Sequence, residues 1–194
     1  MILTARINGK DYIIYVGGLI LSEKVKDVDN VIGIAREAAK RHQCMAIQLT
    51  DAAAIASWRH LFHSALLAIK AFTRGYNVAE ALDVEVLLYA SGSKQIHDAI
   101  SKLGIKPGLS KLALTCIGCV DETSIKQAVE EVLNLLKGLE DDSVLEVDER
   151  KSDGIKRLFG ISDEEVQATL TGDVDPLVKC VLNRVALVDI LKRL

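Results

Sequence analysis

The hydrophobic and polar positions of this chain fall into short apolar runs and longer stretches with helical spacing. The apolar runs predict strands near residues 2–7, 11–16, 44–49, 84–90 and 112–120. Helical spacing predicts helices over residues 31–40, 52–74, 96–103 and 121–136, and a helical last third. We therefore expect a single α/β domain over residues 1–194, with a mixed β-sheet flanked by helices and a helical C-terminal segment.

Several boundaries carry their own signals. Asn8-Gly9 predicts a tight hairpin turn between the first two strands, because both central residues of such a turn need positive φ. Ser162 and Glu165 have the spacing of a capping box, and Asp175-Pro176 predicts the start of the terminal helix. Residues 139–154 are rich in Asp and Glu, so we expect a solvated connector or mobile segment with little core of its own.

The predicted fold is built around the stretch from Val84 to Ile105. We expect a buried strand over Val84–Ala90, a polar turn at Ser91-Gly92 and a helix that Gly104 ends in a left-handed conformation. In α/β proteins, ligands often bind beyond the carboxyl end of a strand, where this turn would direct its amides and Lys94. The alternative is an ordinary connection between a strand and a helix that binds no ligand, which has the same sequence pattern.

Composition limits the classes of partner. The net charge is -3 and the pI is about 5.8, so a nucleic acid would have to be bound by a local basic patch. No uncharged apolar stretch reaches about 18 residues, and the N-terminus lacks the features of a signal peptide. We expect a soluble, cytoplasmic protein that does not span a membrane.

Such a basic patch is predicted on the helix over residues 52–74, which contains no Asp or Glu. Arg59, His63, Lys70 and Arg74 fall within an arc of about 60° and form a stripe roughly 22 Å long, with His60 beside it. Surface helices usually mix charges of both signs. The stripe therefore either binds an anion such as RNA or is covered by acidic residues from other elements.

A metal or thiol site is the main chemical alternative. His60 and His63 have helical spacing, but no carboxylate or cysteine lies where it would complete a metal site. Cys116 and Cys119 form a Cys-x-x-Cys motif, yet the motif lies within an apolar run and no second ligand pair follows. We expect no metal and no cofactor, and we keep a thiol- or metal-dependent enzyme using Cys116 and Cys119 as the alternative function.

The terminal helix has more apolar residues than one buried face can hold. Val178, Val181, Leu182, Val185 and Val188 can face the core, which directs Leu187, Leu191 and Leu194 elsewhere. Exposed apolar surface of this kind marks a partner-binding site, unless the preceding short helices cover it. The sequence also lacks nucleotide-binding, nucleophile-elbow and zinc-protease motifs, which favours a binding module over an enzyme.

Two stretches resemble a known family. Glu85, Leu87-Leu88-Tyr89, Ser91-Gly92, Lys94-Gln95-Ile96, Ala99-Ile100 and Gly104-Ile105 are similar to the central motif of the TPRKB-like subunit of the KEOPS complex. Arg184 to Ile190 resembles the C-terminal motif of the same family. The family usually has arginine where Lys94 stands, so a bidentate contact from that position is lost while the charge remains.

The resemblance implies a non-catalytic subunit. It implies binding to the complex's atypical protein kinase and to the 3′ CCA end of tRNA, in a complex that makes threonylcarbamoyladenosine (t6A), and it implies no small-molecule substrate. We expect RNA contacts from Arg59, His60, His63, Lys70, Arg74, Ser91, Gly92, Lys94 and Gln95. We expect kinase contacts from Val181, Arg184, Leu187, Val188, Leu191 and Leu194.

Overall fold

A computed structural model describes residues 1–118, 121–170 and 172–192. Within these ranges the strands are β1 (Ile2–Ile7), β2 (Lys10–Leu21), β3 (Ala46–Asp51), β4 (Lys111–Ile117) and β5 (Gly138–Glu140). The helices are α1 (Val28–Arg41), α2 (Trp58–Arg74), α3 (Leu82–Ser91), α4 (Ile96–Leu103), α5 (Glu122–Leu135), α6 (Glu149–Phe159), α7 (Asp163–Ala168) and α8 (Pro176–Leu191). Short 3-10 turns occur at Ala52–Ala54 and Asp142–Leu145.

The sheet has the strand order β1-β2-β4-β3, and β5 pairs with the end of β2. Each pairing in the described ranges is antiparallel. Side chains alternate between the two faces of a strand, and each face has its own core. One face packs against α1 and α5, and the other packs against α2, α3, α6 and α8. The expected α/β fold, with a sheet flanked by helices and a helical C-terminal segment, is confirmed.

Local signals placed several elements correctly. Asn8 and Gly9 have φ values of 50° and 81°, as the hairpin turn between β1 and β2 requires. The side chain of Asp175 accepts hydrogen bonds from the amides of Leu177 and Val178 at the start of α8. Ser162 caps α7 by accepting a bond from the Glu165 amide at 3.2 Å. In the part of the chain that the structure describes, no helix is long and apolar enough to cross a membrane.

The predicted strand at residues 84–90 is wrong, because this segment is the helix α3. Nearly every residue of α3 is buried, including Glu85, so the segment has no polar face and its sequence shows no helical period. Its end at Gly92 adopts a left-handed conformation with φ 66°. The turn at Ser91-Gly92 therefore joins two helices.

Other boundaries also differ from the prediction. The strand β2 continues through Gly17-Gly18, where a Cβ on Gly18 would lie 2.4 Å from the Asp141 carbonyl oxygen. The acidic stretch is ordered: it forms β5, a 3-10 turn with buried Val144 and Leu145, and the start of α6. Asp51 caps only the first 3-10 turn, and α2 begins later, at Trp58.

Gly104 ends α4 for a reason other than the one expected. Its φ is -62°, which is not left-handed. A Cβ at this position would lie 2.4 Å from the Ile100 carbonyl oxygen. Close approach of the backbone therefore requires glycine here.

Candidate functional site

The helix α8 has a buried side and an exposed apolar side. Its buried side includes Val181, Val185 and Val188, each at most 1% exposed, and packs against α2, α3 and α6. On the opposite side Leu187 is 47% exposed, Ile190 57% and Leu191 37%. These three residues are spaced i, i+3 and i+4 and form one surface, which we call the α8 patch.

Arg184 of α8 is occupied by contacts within the chain. Its guanidinium forms two hydrogen bonds to the Glu165 carboxylate, at 2.8 and 2.7 Å. It also donates to the carbonyl oxygens of Phe159 and Gly160, which end α6. The guanidinium holds the pKa of Glu165 below its usual value. Arg184 therefore fixes α8 to α6 and α7, and Glu165 does not complete the predicted capping box.

A buried ion pair holds the C-terminal end of α8. Lys192 Nζ lies 2.7 Å from Glu85 Oε1, and both side chains are at most 1% exposed. The other oxygen of Glu85 accepts hydrogen bonds from the amides of Val78 and Ala79. The Lys192 ammonium also lies 3.9 Å from the centre of the Tyr89 ring. These contacts fix the last turn of α8 beside the α8 patch.

The stripe on α2 is partly compensated by other elements. Lys70 Nζ lies 3.5 Å from Asp189 Oδ2 of α8, so an acidic residue covers the middle of the stripe. Asp189 also accepts hydrogen bonds from the hydroxyls of Tyr76 and Tyr89. Arg74 donates to the side chain of Asn8 in the hairpin at 3.2 Å. The alternative that acidic residues cover the stripe therefore applies to Lys70.

Three cations of the predicted RNA surface are exposed: Arg59 at the start of α2, Arg74 at its end and Lys94 in the turn before α4. The Arg59 guanidinium stacks over the Trp58 ring, 4.4 Å from its centre, at the start of α2. Lys94 and Gln95 are exposed in the turn before α4. Gly92, in the same turn, is partly buried, and a Cβ there would lie 3.3 Å from Cβ of Arg184. His63 is partly buried beside Asp189.

Two predicted RNA-binding residues lie in the core. His60 is fully buried: its Nδ1 accepts a bond from the Ala56 amide, and its Nε2 lies 2.7 Å from the Ala90 carbonyl oxygen. Burial lowers the pKa of His60 to about 4. Ser91 is also fully buried and donates to the Leu88 carbonyl oxygen. Neither side chain is accessible to a ligand on this surface.

Comparison with known proteins gives the family. The family model "Kinase binding protein CGI-121" matches residues 25–189. A protein of Methanocaldococcus jannaschii, named "Regulatory protein Cgi121", is 32% identical over 148 residues, which cover 76% of this chain and 86% of that protein. The chain belongs to the CGI-121 family. A Pyrococcus abyssi protein named "KEOPS complex subunit Cgi121" is 49% identical over 43 residues, or 22% of this chain and 25% of its own.

The structure divides the predicted kinase-binding residues of this CGI-121 family member into three groups. Leu187 and Leu191 are exposed, as predicted. Val181 and Val188 are core residues, and Arg184 is bound to Glu165. Leu194 lies outside the described residues. Ile190 was not among the predicted kinase-binding residues, although its position three residues after Leu187 places it on the same exposed side of the helix.

The thiol alternative finds little support in the described part of this family member. Cys116 is fully buried, 3.5 Å from the sulfur of Cys44, and burial raises its pKa to about 12. A thiol with such a pKa is a poor nucleophile at neutral pH, since the thiolate is the reactive form. Cys119 lies outside the described residues. Among those described, no group of three His, Cys, Asp or Glu residues could hold a metal ion.

Proposed function

We propose that the protein is a non-catalytic subunit of a KEOPS-type complex. It binds the complex's atypical protein kinase through the α8 patch. It also recruits tRNA by the single-stranded 3′ CCA end for threonylcarbamoyladenosine modification. The observation that carries the proposal is the exposed apolar patch Leu187, Ile190 and Leu191 in a chain of the kinase-binding CGI-121 family.

Two features support the α8 patch as a protein-binding surface. Three large aliphatic side chains on adjacent turns suit insertion into a groove of a partner. The helix that carries them is held on both sides of the patch, by the fork between Arg184 and Glu165 before it and by the buried pair of Lys192 and Glu85 after it. A helix fixed in this way loses little conformational freedom when it binds, which favours affinity.

Kinase binding is tested by replacing Leu187 and Leu191 together with glutamate. We expect the double variant to lose kinase binding, because the contact would desolvate two carboxylates. Both side chains are partly exposed, so the melting temperature and the tRNA affinity should stay close to wild type. The matched control replaces Leu135 and Leu139, exposed at 54% and 76% on other elements, and should keep kinase binding.

The measurement is isothermal titration of the purified kinase into each variant. A folded Leu187→Glu, Leu191→Glu protein that binds the kinase with wild-type affinity would exclude the α8 patch as the interface. Loss of folding would show instead that these leucines belong to the core, contrary to their exposure.

For tRNA, we infer that Arg59, Lys94 and Gln95 are contact residues, and the exposure of their side chains supports this proposal. Arg59 presents a guanidinium stacked on an aromatic ring, and Lys94 presents a charge beside a tight turn. Such groups suit a single strand, where phosphates need cations and bases need flat partners. Lys70 is a weaker candidate, because Asp189 lies beside it. His63, one turn after Arg59, is partly buried, and Arg74, at the other end of α2, is exposed but donates to Asn8.

The corresponding test replaces Arg59 and Lys94 with alanine. We expect weaker binding of tRNA that carries its CCA end, and a salt dependence flatter by about 0.7 for each lost phosphate contact. Removing the CCA end from the tRNA should weaken wild-type binding and erase the difference between wild type and variant. Alanine at Lys106 and Lys126, two exposed lysines elsewhere, is the control. Equal affinity and equal slope for the Arg59 and Lys94 variant would reject this surface.

A further inference from the structure

The strand β3 forms one edge of the sheet. It pairs with β4 on one side, and no strand of the described ranges pairs with its other side. An open edge of this kind presents unpaired backbone groups and is a template for another strand. The helices α1 and α3 both pack against β3 and border this edge, and Ile47 and Leu49 on the strand are each 3% exposed.

Hydrogen bonds around β4 identify which backbone groups face β3. The Gly118 amide donates to the Ile13 carbonyl oxygen, after the end of β4 and on the β2 side. The Ile117 carbonyl oxygen accepts from the Met45 amide on the β3 side. Successive residues of a strand direct their backbone groups to opposite sides. The backbone of Ile117 therefore faces β3.

The register then gives the orientation of β3. Ala46 pairs with Ile117, so the backbones of Ala46, Gln48 and Thr50 face β4. Ile47 and Leu49 consequently turn their amides and carbonyls toward the open edge. The side-chain amide of Gln48 donates to the Leu49 carbonyl oxygen at 2.6 Å and partly covers that group.

This edge lies at the floor of a groove. Two adjoining cavities, of about 150 and 550 Å³, run along it and share Arg36, Ile47 and Asp83 in their linings. The smaller cavity lies over residues 47–49 of β3, and the larger lies over residues 44–47. The groove therefore follows β3 over residues 46–49, about 13 Å at strand spacing, and continues over residues 44 and 45, which precede the strand.

Three helices, α1, α3 and α4, contribute apolar side chains to the walls of the groove. Ile32 of α1, Leu87 of α3 and the half-exposed Ile100 of α4 line the smaller cavity. An ion pair between Arg36 and Asp83 crosses the groove where the two cavities meet, with 2.9 Å between Nε and Oδ2. The Arg36 side chain is 56% exposed. Asp83 is only 11% exposed, but its Oδ1 also accepts a hydrogen bond from the Val84 amide at 2.9 Å, so the carboxylate keeps one partner when the Arg36 guanidinium moves away.

The larger cavity has a basic residue on one side and an acidic residue on the other. Lys40 on the α1 side and Glu80 before α3 both line it, and both are exposed. Side chains of a strand added along β3 would alternate between the α1 side and the α3 side. An acidic residue facing Lys40 and a neighbouring basic residue facing Glu80 would complement these charges.

We propose that this groove binds an extended peptide segment of a protein partner as an additional strand beside β3. Main-chain hydrogen bonds to Ile47 and Leu49 supply the binding, as in other cases of strand addition. An aliphatic residue of the peptide fills the smaller cavity, and adjacent acidic and basic residues occupy the larger one. This surface lies apart from α8 and is independent of the kinase-binding proposal.

The test uses a phage-displayed library of random 12-residue peptides, selected on the full-length protein in the presence of excess Ile100→Asp protein. Enriched peptides should bind wild type at least tenfold more tightly than Ile100→Asp, which places a charge in the smaller cavity. Leu135→Asp is the matched control, since Leu135 is 54% and Ile100 50% exposed. It should bind like wild type.

Amide hydrogen exchange then distinguishes strand addition from other contacts. In the unbound protein the outward amides of Ile47 and Leu49 should exchange faster than those of Gln48 and Thr50. Saturation with an enriched peptide should slow Ile47 and Leu49 selectively. Failure to enrich any peptide, binding unaffected by Ile100→Asp, or unchanged exchange at both outward amides would overturn the proposal. Protection of these amides by a CCA-ending oligonucleotide alone would assign the groove to RNA instead.

Discussion

The buried histidine of α2 should make the stability of the fold depend on pH. His60 accepts a hydrogen bond at Nδ1 from the Ala56 amide, so its proton lies on Nε2, which donates to the Ala90 carbonyl oxygen. The contact at Nδ1 requires the neutral ring, because a protonated Nδ1 cannot accept a hydrogen bond, and burial opposes the charged form. The Phe159 ring, with its centroid 5.6 Å away, packs edge-on against the imidazole and adds to its desolvation. Protonation in the folded state is therefore unfavourable.

The size of the effect follows from the pKa. In the folded state the pKa of His60 is about 4, below the ordinary histidine value of 6.5. Above pH 6.5 both states are neutral, and the histidine contributes no dependence on pH. As the pH falls from 6.5 to 4 the unfolded state binds a proton first, so the folded state loses stability. At about 1.4 kcal/mol per pKa unit, the loss reaches about 3 kcal/mol.

The assay is urea denaturation between pH 7.5 and pH 4 for wild type and for His60→Gln. Glutamine can keep one donor and one acceptor but does not titrate, so the variant should lack this part of the pH dependence. Subtracting the two curves removes the contribution of carboxylates. His63→Gln is the control: His63 is only partly buried, so most of the dependence should persist. A difference between wild type and His60→Gln that stays constant from pH 6.5 to pH 4 would refute the reasoning.

Two further predictions concern the core. Lys192→Met should destabilise the fold by about 3 kcal/mol in urea denaturation, because it leaves the Glu85 carboxylate buried without its cation, and adding Glu85→Gln should recover much of the loss. Gly104→Ala should cost about 1–3 kcal/mol, since its Cβ would meet the Ile100 carbonyl oxygen. Gly33→Ala in α1, where a Cβ meets nothing within 4 Å, should instead stabilise by up to about 1 kcal/mol. Similar melting temperatures for the two alanine variants would show that the backbone at Gly104 relaxes.

Local chemistry made part of the fold predictable. The turn at Asn8-Gly9 and the cap at Asp175 depend on residues adjacent in sequence, and both are found where the sequence predicts them. The exposed side of α8 was likewise predictable, because the helix carries more apolar residues than the side that faces the core can hold. Leu187 and Leu191 fall on the exposed side for that reason.

The strand predicted over Val84–Ala90 was wrong because the conformation of this segment depends on the elements that pack around it. A helix buried on all sides needs no polar face, so Val84 to Ala90 reads equally well as a buried strand. The one clue was Glu85, a charge in an apolar run. Its partner Lys192 lies 107 residues later in the chain, and only the packing of α8 on α3 brings the two together. No local pattern encodes such a pairing.

The dependence on distant packing also explains why the two motifs identified the family but did not identify which residues are exposed on the surface. Tyr89 donates to Asp189, Glu85 binds Lys192, and Gly92 lies against Arg184, so the central and C-terminal motifs contact each other inside the protein. These residues fix the position of α8. Ile190 and Leu191 make none of these internal contacts, and their side chains stay exposed on α8. The motif residues therefore determine how α8 is held in the fold. The exposed residues that lie between them determine which surface α8 offers to a partner.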